Sequence, residues 1–276
     1  MPDATDRRTP RDQRPLALAG MLAPAVFVLG VVISGLTWSG YEHRTQNISD
    51  LGGTEAPQPV LLNVTLLLFG LLVVTFAVAL RRGRADCSRA PAGPLLVGYF
   101  GVTAVVQGLT PCTPGCAEGT PADLLHGLAA TTGLLAVALG MLSSWWVTRA
   151  TPGRSFHSGL SAWTGTLTLG LLVAWLIAAG VDPQRLDAGV LQRALIGMAL
   201  IWLAATAVQL RRRHRAPPAT ANDCTGRSPA SDAAACTLCG SRQRRGAPQA
   251  RGMRTSLPRW SPAAKSCWAW WISVSG

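Results

Sequence analysis

Six long apolar runs, separated by short polar segments, constrain this chain more than any other feature of its sequence. A helix needs about 20 apolar residues to cross a bilayer, and an open strand leaves its backbone groups without partners there. The chain is 49% hydrophobic and 14% charged, which is typical of a membrane protein. The sequence therefore predicts an all-α, polytopic membrane protein with a six-helix transmembrane domain over residues 16–210. The predicted helices cover residues 16–38, 59–80, 94–111, 122–146, 161–181 and 190–210.

The arginines between the runs predict the orientation of the bundle. With six helices, the N-terminus, the second and fourth connections and the C-terminal tail lie on one side of the membrane. Basic residues concentrate on that side, whereas the other side holds only Arg44, Arg185 and Arg193. Because basic loops remain in the cytoplasm, we expect both termini to be cytoplasmic, with residues 1–15 as a short N-terminal segment. The arginines on the predicted cytoplasmic side are Arg7, Arg8, Arg11, Arg14, Arg81, Arg82, Arg84, Arg89, Arg149, Arg154 and those of RRRHR at 211–215.

The amino-acid composition indicates the kind of organism, and therefore the kind of membrane, in which the protein occurs. Lys265 is the only lysine among the 25 basic residues, and alanine, glycine and proline are abundant. This composition is typical of a GC-rich bacterial gene. We therefore expect the protein in a bacterial plasma membrane.

The C-terminal segment, residues 211–276, differs from the rest of the chain. It holds 12 of the 25 basic residues but only two of the 13 acidic ones, without hydrophobic periodicity. This pattern predicts a basic, disordered cytoplasmic tail that contacts membrane lipid rather than nucleic acid, because it follows a membrane span. The alternative is out-of-frame translation after about residue 220. Cys236 and Cys239 resemble half of a zinc knuckle, but the remaining tail cysteines are irregularly spaced.

Polar side chains cluster at one depth of the predicted bundle. Many belong to the outward-facing loop YEHRTQNISDLGG at 41–53, and the others lie at the outer ends of later helices. The midplane segments of the runs hold no ionisable residue, which disfavours an ion-coupled transporter. We therefore predict a polar site at the outer surface, beneath the loop. Its candidate residues are His43, Arg44, Asn47, Ser49, Asp50, Asn63, Gln107, Asp123, His126, Gln192 and Arg193.

Four short motifs occur in an order that resembles a known family. They are QNISDLG at 46–52, GLTPC at 108–112, His126 at the start of the fourth helix, and LQR at 191–193. Together they resemble the bacterial and archaeal six-helix membrane proteins of domain-of-unknown-function family nine-nine-eight, over about residues 16–210. The resemblance implies an integral membrane protein but supplies neither an activity nor a catalytic residue.

Three functions fit the predicted outer site. One is binding of a lipid headgroup, a small anion or a membrane partner, with Arg44 and Arg193 as ligands of phosphate or carboxylate. Another is hydrolysis of a lipid-type substrate, with His126 as general base oriented by Asp123 or Asp50, and Ser49 as nucleophile. The third is a small permease that forms its pathway as a homo-oligomer.

The same residues also have a purely structural interpretation. Charges near a bilayer need partners, so Arg44–Asp50 and His126–Asp123 are candidate pairs that hold the loop on the helix ends. No cofactor is predicted and no metal ligand is assigned, although two histidines and one aspartate would suit zinc.

Cys112 and Cys116 lie in the predicted outer connection between helices 3 and 4. Disulfides persist on the oxidising side of a plasma membrane, but a bridge across so short a loop requires specific geometry. Both a loop-closing disulfide and two free thiols are consistent with the sequence.

Cysteine labelling tests the predicted orientation. After reduction of any disulfide, we expect a membrane-impermeant thiol reagent to modify Cys112 and Cys116 in intact cells, because both face outward. We expect Cys87, in the second connection, to react only after the membrane is permeabilised. Labelling of Cys87 in intact cells, with Cys112 unreactive, would reverse the orientation.

Overall fold

Six long α-helices dominate the computed structural model, which describes residues 13–82, 92–116, 118–149, 155–181 and 187–215. Each helix is long and apolar enough to cross a membrane. The prediction of an all-helical, multi-pass membrane protein is therefore confirmed. Residues 211–215 of the predicted tail are helical and belong to the end of α6, and the rest of the tail lies outside the described residues. The helices are α1 (Gln13–Leu36), α2 (Pro59–Arg82), α3 (Ala92–Leu109), α4 (Pro121–Thr148), α5 (Ser155–Val181) and α6 (Ala188–Arg215).

The start of α5 differs most from its predicted position. The helix begins at Ser155 rather than at residue 161. Ser158 and Ser161 are 6% and 0% exposed, and Ser161 Oγ accepts a hydrogen bond from Trp202 Nε1 of α6 at 2.9 Å. A hydropathy pattern counts such hydroxyl groups as unfavourable in a membrane helix, which placed the predicted start too late. Here neighbouring helices cover these hydroxyl groups. The helix is therefore longer at its start than the predicted span.

The helices follow one another around the bundle. Each packs against its neighbours in sequence, and α1 also packs against α6, which closes the ring. Aromatic side chains such as Phe69, Phe76 and Trp202 are buried inside. Leucines and valines such as Leu29 and Val173 cover the outside, 61% and 57% exposed, as expected of a surface that faces lipid.

The connections α1–α2 and α3–α4 meet at one end of the bundle, where α6 begins. Thr54 in the first connection donates its backbone N–H to the carbonyl of Cys112 in the second at 3.0 Å. Val190, in the first turn of α6, donates to the carbonyl of Arg44 at 3.1 Å. We call this end of the bundle the cap end. Two 3-10 turns, Ile48–Gly52 and Pro114–Cys116, lie there.

Two glycines allow a close approach between α2 and α3. A Cβ atom at Gly70 would lie 2.5 Å from the carbonyl oxygen of Gly101, and one at Gly101 would lie 2.7 Å from the carbonyl oxygen of Gly70. Helices in lipid associate through such van der Waals contact between small residues, because burial from water supplies little driving force there.

Replacing Gly70 with alanine tests this contact. We expect G70A to lower the free energy of unfolding by about 1–3 kcal/mol, the usual cost of overpacking, measured by unfolding in mixed micelles of increasing dodecyl sulfate content. The matched control is G170A, because a Cβ at Gly170 meets nothing within 4 Å. Equal stability of the two variants would contradict this account of helix packing.

Candidate functional site

The loop of residues 41–53 folds back over the cap end, as the sequence predicted. Ile48 is 5% exposed, and its backbone N–H donates to Gln192 Oε1 of α6 at 2.6 Å. The Asn63 side chain of α2 donates to the carbonyl of Gly52 at 3.1 Å. The loop is therefore hydrogen-bonded to the ends of both α2 and α6.

Asp50 connects this loop to the connection between α3 and α4. Its Oδ2 accepts the backbone N–H of Asn47 at 2.8 Å, and its Oδ1 accepts that of Gly115 at 3.0 Å. The carboxyl group is buried, with the residue 8% exposed. Burial raises the pKa of Asp50, and the hydrogen bonds from Gly115 and Asn47 oppose that rise. Asp50 thus bridges two loops through their backbones.

Asp123 plays a similar part at the start of α4. Its carboxylate accepts the backbone N–H of Thr113 at 2.8 Å and that of Thr120 at 3.0 Å, and the Thr113 hydroxyl at 3.1 Å. The Thr120 hydroxyl accepts the N–H of Asp123 in return, which completes a capping box. Asp123 is 2% exposed. Its carboxylate is already occupied by nearby donors.

Neither of the two candidate ion pairs, Arg44–Asp50 and His126–Asp123, is formed. Arg44 pairs instead with Asp187 at 2.8 Å, with side chains 72% and 39% exposed. This contact lowers the pKa of Asp187 and raises that of Arg44. His126 contacts a carbonyl instead of a carboxylate. The reason is local, since Asp50 and Asp123 each lie three residues after the N-cap residue of a helix, Asn47 and Thr120, whose backbone N–H needs an acceptor.

Arg193 joins α6 to the loop of residues 41–53. Its Nη1 donates to the carbonyls of Gln46 and Gly189 at 3.0 and 2.8 Å, and its Nη2 donates to the Tyr41 hydroxyl at 2.5 Å. Burial raises the pKa of Tyr41 to about 12. The hydroxyl therefore stays protonated and donates to the carbonyl of Asn47 at 2.7 Å. Within the described residues, no carboxylate forms a salt bridge with Arg193.

The imidazole of His126 has one nitrogen with a partner and one without. Nδ1 lies 2.8 Å from the carbonyl oxygen of Thr110. A carbonyl only accepts, so Nδ1 carries the proton and Nε2 carries the lone pair. Nε2 is buried and has no hydrogen-bond partner among the described residues. Cys112 and Cys116, joined by a disulfide, lie beside this ring.

The remaining predicted residues have different surroundings. His43 is exposed, and its ring lies 4.9 Å from that of Tyr41. Asn47 Oδ1 accepts the indole N–H of Trp175 at 3.1 Å. Gln107 donates to the carbonyl of Thr103, one turn earlier in α3, at 3.2 Å.

A cavity of about 50 Å³ lies inside the ring, beneath the loop. This volume suits a few water molecules or a short apolar group, not a whole lipid headgroup. Its lining combines polar groups with aromatic rings. The sequence did not predict which rings face the cavity, since lipid-facing and inward-facing residues are equally apolar. The polar residues are Ser49, Gln107 and Gln192, and the rings belong to Phe27, Phe69 and Phe100.

Replacing Asp50 with alanine tests the structural importance of this network. We expect D50A to lower the free energy of unfolding by about 1–3 kcal/mol, because it removes the acceptor of two part-buried backbone N–H groups, those of Asn47 and Gly115. Thermal unfolding in detergent measures the effect. E55A removes an exposed carboxylate from the same connection and is expected to have little effect. A stable D50A protein would show that the loop does not depend on this carboxylate.

Comparison with known proteins agrees with the motifs and with the fold. No curated protein and no solved structure shows significant similarity to the chain. The family model described as "Protein of unknown function (DUF998)" matches residues 21–209. This range includes most of every transmembrane helix and all of the loop of residues 41–53. The chain therefore belongs to the DUF998 family of membrane proteins.

Proposed function

We propose that the protein binds an amphipathic lipid with an anionic headgroup at the cap end, on the outer side of a bacterial plasma membrane. The observation that carries the proposal is the cavity beneath the loop. It has polar groups of Ser49 and Gln192 near aromatic rings such as Phe69 and Phe100. A binding site for a molecule with polar and apolar parts needs this combination.

The size of the cavity limits which part of the lipid enters it. About 50 Å³ accommodates a short apolar segment, so the headgroup must lie outside, at the rim. Arg193 follows Gln192 directly on α6, and Gln192 lines the cavity. The Arg193 guanidinium is bound by carbonyls and a hydroxyl, which leave its positive charge available to a phosphate.

The distribution of charge supports an outward-facing cap end. Arg81 and Arg82 end α2 and Arg149 follows α4, all at the end opposite the cap. The Arg149 guanidinium lies 3.3 Å from the ring centroid of Trp146, an arrangement suited to a membrane interface. By the positive-inside rule, the basic end faces the cytoplasm.

Binding accounts for the site better than hydrolysis or transport does. Asp50 and Asp123 are occupied by backbone donors, and His126 is oriented by a carbonyl. Among the described residues, no hydrogen bond joins Ser49 to a base, so the nucleophile–base pair that acyl transfer requires is not formed. A permease needs a continuous pathway, whereas the cavity is small and lies beneath the buried loop.

Filling the cavity tests the proposal. Ala130 lines it, and A130V adds two methyl groups there. We expect A130V, purified in mild detergent, to retain several-fold less anionic phospholipid than the natural protein in native mass spectrometry. The matched control is A179V, because Ala179 is exposed on α5.

Thermal unfolding of both variants separates loss of lipid from loss of fold. A stable A130V protein that retains as much lipid as A179V would contradict the proposal. So would a natural protein that carries no bound phospholipid after gentle purification from membranes.

A further inference from the structure

Cys112, Cys116 and His126 converge at the start of α4. Both sulfur atoms and an imidazole nitrogen lie within 4.8 Å of one another. Cys112 is 1% exposed and His126 is 4% exposed, whereas Cys116 is half-buried. The group is therefore enclosed by protein, with one edge that opens toward the surface of the cap.

His126 is prepared as a ligand by its hydrogen bond to Thr110. Donation from Nδ1 to a carbonyl fixes the tautomer and turns the lone pair to Nε2. Metal-binding histidines use the same arrangement, in which the nitrogen that does not bind the metal donates to a carbonyl or carboxylate. Here Nε2 is buried without a partner in the described part of the chain. A buried polar atom in that state requires an explanation, and a ligand for it provides one.

We propose that these three side chains bind a zinc ion when the disulfide is reduced. A dithiol donates two electrons and two protons to the Cys112–Cys116 bond, which yields two thiols and leaves the donor as a disulfide. Zinc then displaces both thiol protons and binds two thiolate sulfurs and one imidazole nitrogen. The open edge at Cys116 leaves a fourth position for water, so the site has the composition of a three-ligand zinc centre.

The distances and charges suit this ion. Sulfur and nitrogen ligands of a tetrahedral zinc ion lie about 3.5–3.8 Å apart, given bonds of about 2.0–2.3 Å. Rotation of side chains within a group that already lies within 4.8 Å brings the ligands to such distances. Two thiolates neutralise the charge of Zn²⁺, which suits a buried position. Soft thiolates also favour zinc over magnesium or calcium.

The backbone around the cysteines is held independently of the sulfur–sulfur bond. Asp50 accepts the N–H of Gly115, and Asp123 accepts the N–H of Thr113. The carbonyl of Cys112 accepts the N–H of Thr54. These bonds keep the two cysteines close to His126 after reduction, so a metal ion binds without first having to order the loop. The proposed zinc site does not depend on the proposed lipid binding.

Cobalt and zinc titrations of the full-length protein test the proposal. Cys87, Cys224, Cys236, Cys239 and Cys267 are replaced by serine, so that only Cys112 and Cys116 remain. After reduction with a phosphine, which does not bind the ion through sulfur, Co²⁺ is expected to produce a sulfur-to-cobalt charge-transfer band. Zn²⁺ is expected to abolish that band at one ion per chain. The same protein with its disulfide intact is expected to give no such band.

Variants identify the imidazole as a ligand. H126Q retains a side-chain donor for the carbonyl of Thr110 but lacks the imidazole, and we expect its zinc affinity to fall by more than about 100-fold, the upper range for loss of an outer-shell partner. H43A, which removes an exposed histidine of the same cap end, is expected to bind zinc normally. Thermal unfolding of the oxidised variants confirms that H126Q folds.

Three results would overturn the proposal. The first is a reduced protein that gives no charge-transfer band with Co²⁺. The second is an H126Q protein that binds zinc as tightly as the protein with His126. The third is equal binding of metal by the oxidised and reduced forms. If H126Q does not fold, the oxidised and reduced forms of the parent still decide the question, because they share one sequence. C116S provides a further test, since loss of one of the two thiolates must weaken both the band and the affinity for zinc.

Discussion

Two buried carboxylates hold the cap end together. Asp50 accepts backbone N–H groups from Asn47 and Gly115, which belong to different connections. Asp123 accepts those of Thr113 and Thr120, which both belong to the connection between α3 and α4. Irregular backbone at the end of a membrane bundle has N–H groups that no helix satisfies, and carboxylates are strong acceptors for them. The positions of Ile48 above the cavity and of Cys112 beside His126 both depend on these contacts.

The sequence was sufficient to predict the helices and the location of the loop. Apolar runs of membrane-spanning length leave few alternatives, and polar residues such as Asn63 and Gln192 occur at a common depth. Both side chains indeed contact the loop, at Gly52 and Ile48 respectively. The family motifs correctly indicated the family of the chain, although they carried no information about contacts.

The partners of the charged residues were beyond prediction from sequence. Opposite charges such as Arg44 and Asp50 suggested a pair, but Asp50 binds backbone donors whose direction depends on turn geometry, which residue type does not specify. Arg44 reaches Asp187 instead, across a separation of 143 residues along the chain. The inward faces of the helices were hidden for another reason, because lipid and protein interior favour the same side chains.

Because of the carboxylate contacts, the fold of the cap end does not depend on whether the two sulfurs are bonded to each other. Reduction of the Cys112–Cys116 bond leaves the bonds of Gly115 to Asp50 and of Thr113 to Asp123 in place. A loop held only by its disulfide would gain conformational freedom on reduction, and its thiols would move away from His126. Because backbone hydrogen bonds hold this loop instead, the change of redox state remains local to the two sulfurs and the imidazole beside them. Such an arrangement allows the cap end to exchange a covalent bond for a metal ion while the rest of the bundle keeps its packing.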